Sequence, residues 1–351
     1  MIALSRRAFR PAGVCASVAA ALGLAILAFA APTSAALEGA QAKDKPAQVS
    51  DGETKAIAKI GAAPDAAAKI QAAGEFVKKY PKSTMRARVM AQLTGEINKV
   101  QDAAQRISLF ESLQAMFKEP SDAEVIGPFL IDAYVAANRL DDAFRLGADT
   151  IAKNPNDITT LTNLGIIGVN EVKKNNSKYL QQSQSYGAKA IEFIEAGKKP
   201  DSFDDARWTE YQSKWLPQLY QGMGLLAIVS GDKPEAQAKL GKAASLNPSD
   251  PFNYYLMGHM LNDEYKEKAE EFQKQSAGPL KDIKLKEAEE TMDRVIDAWA
   301  RVVALSEGNP QYQQLHDAVL QDLQPYYKFR HNGSSDGLQQ LIDKYKKSGG
   351  Q

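Results

Sequence analysis

Cysteine is almost missing from this chain of 351 residues: Cys15 is the one that it has. If the first residues are removed on export, as argued below, what remains cannot build disulfides, thiol nucleophiles or thiolate metal sites, so its stability rests on packing. Histidine is scarce as well. His259, His316 and His331 lie far apart, with no two at the i, i+4 spacing that sets a pair on one helical face, whereas a zinc or iron site needs several convergent ligands. Phosphate-cradling glycine loops and the G-x-S-x-G elbow are absent too, and Gly222-Met223-Gly224 falls inside a helical pattern, where glycine has a packing role. No catalytic residue, cofactor or metal is therefore expected. An excess of one charge is also lacking, since 43 basic residues balance 43 acidic ones, and a near-neutral chain gives no electrostatic case for nucleic acid.

What is present starts with a leader. Arg6, Arg7 and Arg10 precede an Ala/Leu-rich run from Val14 to Ala31, followed by the small residues Ser34-Ala35-Ala36, the layout of an export signal over residues 1–36. Ser5-Arg6-Arg7-Ala8-Phe9 resembles the twin-arginine export motif, so both that route and general secretion are open. Either one places the mature chain in the periplasm. An uncleaved inner-membrane anchor is the lesser alternative, because a span needs about 20 strongly apolar residues and alanine dilutes this run. Residues 37–64, poor in large apolar side chains, read as a flexible linker with one short helix near Lys55 to Ile60.

The mature chain is organised around Tyr220 to Pro248. Tyr220, Met223, Gly224 and Ala227 share one helical face, Gly231-Asp232 supplies a turn and a helix start, and Ala236, Leu240 and Ala243 form a second apolar stripe that ends at Asn247-Pro248. Small residues on both stripes indicate two helices that cross closely. This series resembles the tetratricopeptide repeat, a helix-turn-helix unit of about 34 residues that ends near a proline. The resemblance extends in pattern from Asp65 to Pro310, and is most specific over Tyr220 to Pro248 and over Leu130 to Pro155. It implies an all-α, tetratricopeptide-like solenoid over residues 65–347, built of helical hairpins wound as a right-handed superhelix, with insertions at about 171–178 and 264–289.

Taken in order, Asp65 to Tyr80 reads as a helix stopping before Pro81, and Thr84 to Asn98 with Asp102 to Phe117 as the next hairpin. Leu130, Tyr134, Asn138, Ala143 and Pro155 mark another unit. Gly147 in that unit stands where the family prefers a large side chain, leaving either a shallow groove or a gap filled by a neighbour. Leu164-Gly165 opens a further hairpin with a turn lengthened by Glu171 to Ser177, and Asp201 to Trp215 reads as an irregular aromatic connector. Tyr254, Met257 and Gly258 begin a new first helix, whose partner, Glu290 to Ser306, is displaced by the Lys/Glu-rich insertion. Tyr312 to Gln324 and Ser335 to Lys347 close the array, joined by Pro325 to Asn332, where Asn332-Gly333-Ser334 reads as a turn.

Charged pairs such as Asp141-Asp142 and Asp204-Asp205 sit at expected helix starts, where carboxylates stabilise the helix dipole. In the family the concave face is lined by first helices. The resemblance puts Arg88, Gln92, Asp132, Thr162, Asn163, Gln218, Gln221, Tyr255, His259 and Asn262 on or near that face. Members that clamp a terminal carboxylate place lysine, arginine and asparagine there; the middle positions here are amides and hydroxyls with one histidine, which suits a segment held by amide hydrogen bonds and apolar contacts. The expected function is a non-catalytic protein-protein interaction scaffold in the cell envelope. An assembly factor working through the charged insertion and the convex face is the alternative, with membrane contact confined to the leader or the insertion.

Overall fold

The computed structural model describes residues 49–346, and in that part the chain is all helical. Fourteen α-helices follow one another: α1 Asp51–Ala62, α2 Ala66–Lys79, α3 Arg86–Ile97, α4 Ala103–Met116, α5 Pro120–Ala136, α6 Leu140–Lys153, α7 Ile158–Lys173, α8 Leu180–Glu195, α9 Asp205–Ser230, α10 Lys233–Leu246, α11 Pro251–Lys274, α12 Pro279–Ser306, α13 Gln313–Arg330 and α14 Leu338–Lys346. No strand occurs among the described residues. The expected export signal at residues 1–36, the part of the expected linker up to residue 48, and Lys347 lie outside them.

The described residues fall into two compact units, one comprising 49–164 with 189–212 and the other 165–188 with 213–346. In the first, α3 packs on α4, α5 on α6, and α3 also on α5. Arg86 of α3 forms a buried ion pair with Asp122 of α5, fixing those neighbours. At Gly147 the neighbour fills the space: a Cβ there would lie 2.5 Å from Leu164 Cδ1. The groove alternative at that position is excluded by the same contact.

In the second unit each hairpin closes at a glycine. A Cβ on Gly224 of α9 would lie 2.7 Å from Leu240 Cδ2 of α10, and one on Gly258 of α11 only 2.5 Å from Trp299 Nε1 of α12. Between α7 and α8, Gly165 meets the backbone of Gly187. The stripes read from sequence are buried as expected: Ala236, Leu240 and Ala243 are fully sealed, as are Met223 and Ala227 to within a few per cent. Gly231, at φ 81°, makes the sharp turn between α9 and α10, and Asp232 caps α10 by accepting from the Glu235 amide at 3.1 Å.

Four boundaries differ from the sequence expectation. Residues 51–62 form a full helix rather than a short one, because Ser50 and Glu53 make a reciprocal capping box and Ile60 is buried. The aromatic stretch 201–215 is no irregular connector: it opens into α9, which continues through Pro217 as one helix of 26 residues. Likewise Pro325 lies inside α13, so the connection to α14 is confined to residues 331–337. A proline inside a helix removes one donor and bends the axis, a cost that apolar stripes on both sides can outweigh. Finally, the charged segment 264–289 does not separate two helices; it lengthens both α11 and α12 into one long hairpin with a four-residue turn at Gln275–Gly278.

Candidate functional site

In the second unit α7, α9, α11 and α13 are joined in turn by side-chain contacts, in a row. Val169 of α7 fills the space over Gly222 of α9, at 2.7 Å from a Cβ placed there. Gln221 of α9 donates to Asp250 at 2.7 Å and, at 2.9 Å, to Asn253 of α11. Asn253 in turn donates to the Asn247 carbonyl at 3.0 Å. Asn262 of α11 accepts from the Tyr326 hydroxyl of α13 at 2.6 Å. Each pair of neighbours is thus joined by a packing or hydrogen-bond clamp.

The ten residues expected on a binding face divide evenly between the two units. In the first unit Arg88 and Gln92 are exposed on α3, and Asp132 is half-buried on α5. Thr162 is sealed, its hydroxyl 2.8 Å from that of Tyr211, and Asn163 is nearly so. Thr162 therefore belongs to the packing of Phe203, Trp208 and Tyr211, whose rings lie 5.4 to 6.4 Å apart. Burial pushes the Asp132 carboxyl up to about 7, against the opposing charge of Arg106.

In the second unit Gln218 and Gln221 sit on α9, and Tyr255, His259 and Asn262 on α11. Gln221 is a clamp between helices, its amide already bonded on both sides of Asp250 and Asn253, and is not free for a partner. The other α11 residues are different. Tyr255 is 3% exposed and Asn262 4%, yet the Tyr255 hydroxyl and the Asn262 amide nitrogen have no hydrogen-bond partner among the described residues. Neither atom is sealed off; the polar atom that is both sealed and unpaired is Trp299 Nε1, pressed against Gly258. Burial holds His259 neutral, its ring pushed down to about 4 despite Asp263 nearby, with Lys266 adding to the shift. The Tyr255 phenol is pushed up to about 12 by burial and by the charge of Asp322.

Several residues of this seam were missed in the sequence. Lys173, at the end of α7, is largely dewatered, which lowers its pKa against the pull of Asp250. Asp322 and Tyr326 stand one helical turn apart on α13 and face α11. Reading α13 as ending before Pro325 hid that pairing; extending the i, i+4 pattern through the proline would have revealed it. Among the described residues no group of three or more His, Cys, Asp or Glu side chains is placed to hold a metal ion, and no helix is long and apolar enough to cross a membrane. No protein-family model matches the chain, and neither does any curated protein.

Proposed function

We propose that this chain is a non-catalytic binding scaffold exported to the bacterial cell envelope, whose tetratricopeptide-type hairpins hold an extended segment of a partner protein along the row α9, α11 and α13. One observation carries the reading. Tyr255 and Asn262 are more than nine-tenths buried, but each keeps a polar atom with no partner among the described residues. Both atoms stay reachable although the side chains around them are packed, and an extended backbone, with its alternating amides and carbonyls, offers a donor and an acceptor to meet them. Export rests on the leader at residues 1–36.

The long hairpin gives a second reading its own support. Near its turn Leu280 and Ile283, one helical turn apart, are each 54% exposed among lysine and glutamate side chains, as a docking tip for an assembly partner would be. Photo-crosslinking in the organism separates the two readings: a benzoylphenylalanine is placed at Asp263, beside the seam, or at Ile283, on the tip. A defined protein adduct from position 263 alone supports the row of first helices. An adduct from 283 alone moves the function to the hairpin tip, and adducts from neither remove both surfaces from consideration.

A further inference from the structure

The seam between α11 and α13 is bordered by a continuous series of rings. Tyr312 meets Phe252 at 5.7 Å, Phe252 meets Tyr255 at 6.3 Å, and Tyr255 meets His259 at 4.4 Å. Beyond them His259 lies 6.2 Å from Trp299, Trp299 lies 5.1 Å from Tyr326, and Tyr326 lies 5.8 Å from Tyr265. The rings come from three helices and the short turn at Pro310–Tyr312, so they are held by the tertiary packing of the unit.

Next to these rings stands a carboxylate without a counter-ion. Asp322 is exposed on α13, its charge acts on the hydroxyls of both Tyr255 and Tyr326, and it makes no ion pair with any described residue. Other carboxylates on α11 and α12 are matched: Asp263 with Lys266 at 2.9 Å, Glu264 with Lys268 at 2.6 Å, and Asp293 with Arg330 at 2.7 Å. Partial loss of water beside the neighbouring side chains raises the Asp322 pKa, and no described cation opposes that shift. What the seam presents is therefore electron-rich ring faces, an acceptor at Tyr255, a neutral imidazole and an unneutralised negative charge. An anion would be repelled there, whereas a cation with N–H donors meets charge, π-faces and acceptors together.

Resting on the binding reading above, we infer that the seam formed by Tyr255, His259 and Asn262 of α11 with Asp322 and Tyr326 of α13 is a subsite for a basic side chain, lysine or arginine, of the partner polypeptide. The ammonium or guanidinium lies against Asp322 and the tyrosine rings, and the adjoining backbone meets Asn262. This explains why the row carries tyrosine, histidine and asparagine where the preceding hairpin has the apolar or clamped residues Leu225, Ile228 and Gln221.

The test uses the whole chain with ring-labelled tyrosine, titrated with three peptides, acetyl-Gly-Ala-Xaa-Ala-Gly-amide in which Xaa is lysine, arginine or norleucine, and separately with putrescine. The lysine or arginine peptide is expected to shift the Tyr255 and Tyr326 ring signals, assigned by their phenylalanine variants. Asp322→Asn is expected to weaken that binding about tenfold or more, as loss of a charge-assisted contact does. Because Asp322 is exposed, the variant should keep its fold, checked by an unchanged thermal midpoint. Equal shifts with the norleucine peptide, or with Asp322→Asn, would overturn the basic subsite while leaving the peptide-binding reading intact. Shifts with putrescine and none with any peptide would overturn the polypeptide source, and shifts with no probe at all would remove both the subsite and the row.

Discussion

Two neighbouring hairpins, α9–α10 and α11–α12, solve the same packing problem with different amounts of chain. In the first, Gly224 faces Leu240 sixteen residues later; in the second, Gly258 faces Trp299 forty-one residues later. The crossing itself is alike: a missing Cβ on the first helix admits a large side chain from the second. All the extra residues go into lengthening α11 and α12 past the crossing, where ion pairs such as Lys284 to Glu271 at 2.9 Å run across the exposed surface. What specifies a hairpin here is the glycine and the residue that fills it, and the length beyond is free to vary. Polar character differs too: Leu225 follows Gly224 and is buried, while His259 follows Gly258.

The comparison breaks most visibly at the crossings. Trp299→Ala should lower the stability of the chain by about 3–5 kcal/mol, and Leu240→Ala by about 2–5 kcal/mol, because each empties the space opposite a glycine that cannot refill it. Urea denaturation of both variants measures the loss. If Trp299→Ala cost much less than Leu240→Ala, the long hairpin would be held by its extension and not by its crossing. A smaller effect comes from overpacking: Ala236, fully sealed on α10, should cost about 1–3 kcal/mol when changed to leucine. No loss at that position would mean that α9 and α10 can separate freely.

Acid sharpens the contrast between Leu225 and His259. With a folded pKa near 4 and an unfolded one near 6.5, the imidazole binds more protons in the unfolded chain between those values. Stability is therefore lost as pH falls from about 6.5 towards 4, by something on the order of 1–3 kcal/mol, and His259→Leu, which copies the preceding hairpin, should remove that slope. The groups facing the ring are Tyr255, Trp299, Asp263 and Lys266, so the variant leaves no new charge unpaired. Asp132 in the other unit works in the opposite direction. Its carboxyl stays protonated in the folded chain up to about pH 7 while the unfolded one ionises near 4, so stability falls as pH rises through that window. Asp132→Asn should flatten this fall and leave the histidine slope in view; equal pH profiles for the wild type and both variants would show that neither group is held out of water.

Sequence alone placed most helices where packing residues repeat at helical spacing. Tyr220 to Pro248 was legible because its small and large residues alternate on two faces around one glycine turn, and the turn at Gly231 has the positive φ that glycine accommodates. Ending a helix before Pro325 and taking 201–215 as a connector both misled, since a local rule cannot weigh the tertiary packing that keeps α9 and α13 intact through their prolines. For the site, the family resemblance put Tyr255, His259 and Asn262 on or near one face but could not tell a free amide from a committed one. Gln221 looked like Asn262 in sequence, and only the placement of Asp250 and Asn253 distinguishes a clamp from an open donor. Asp322 gave no signal of its own, because what singles it out is that no described cation pairs with it.

The smallest expected effect is also the most direct test of the opening contrast. If length beyond the crossing is free to vary, replacing Ala269 to Lys286 with a short glycine-containing turn should shift the thermal midpoint less than Ala236→Leu does. Tyr265 and Lys268 must be kept, because the first packs its ring on Tyr326 and the second reaches Thr291 at 2.9 Å. What is removed is mostly exposed: Lys274 pairs with Glu270 in water, and half-buried Lys284 pairs with exposed Glu271, so both pairs are open to screening by salt. The shortened chain should therefore keep the ring series from Tyr255 to Tyr326 and its response to the basic peptides, while losing Leu280 and Ile283. A large drop in midpoint would mean that the extension stabilises the crossing after all, through the half-buried stretch around Phe272 and Leu285. Retained stability together with lost partner crosslinks would assign the extension to binding, since its removal would then have cost the fold nothing and the partner everything.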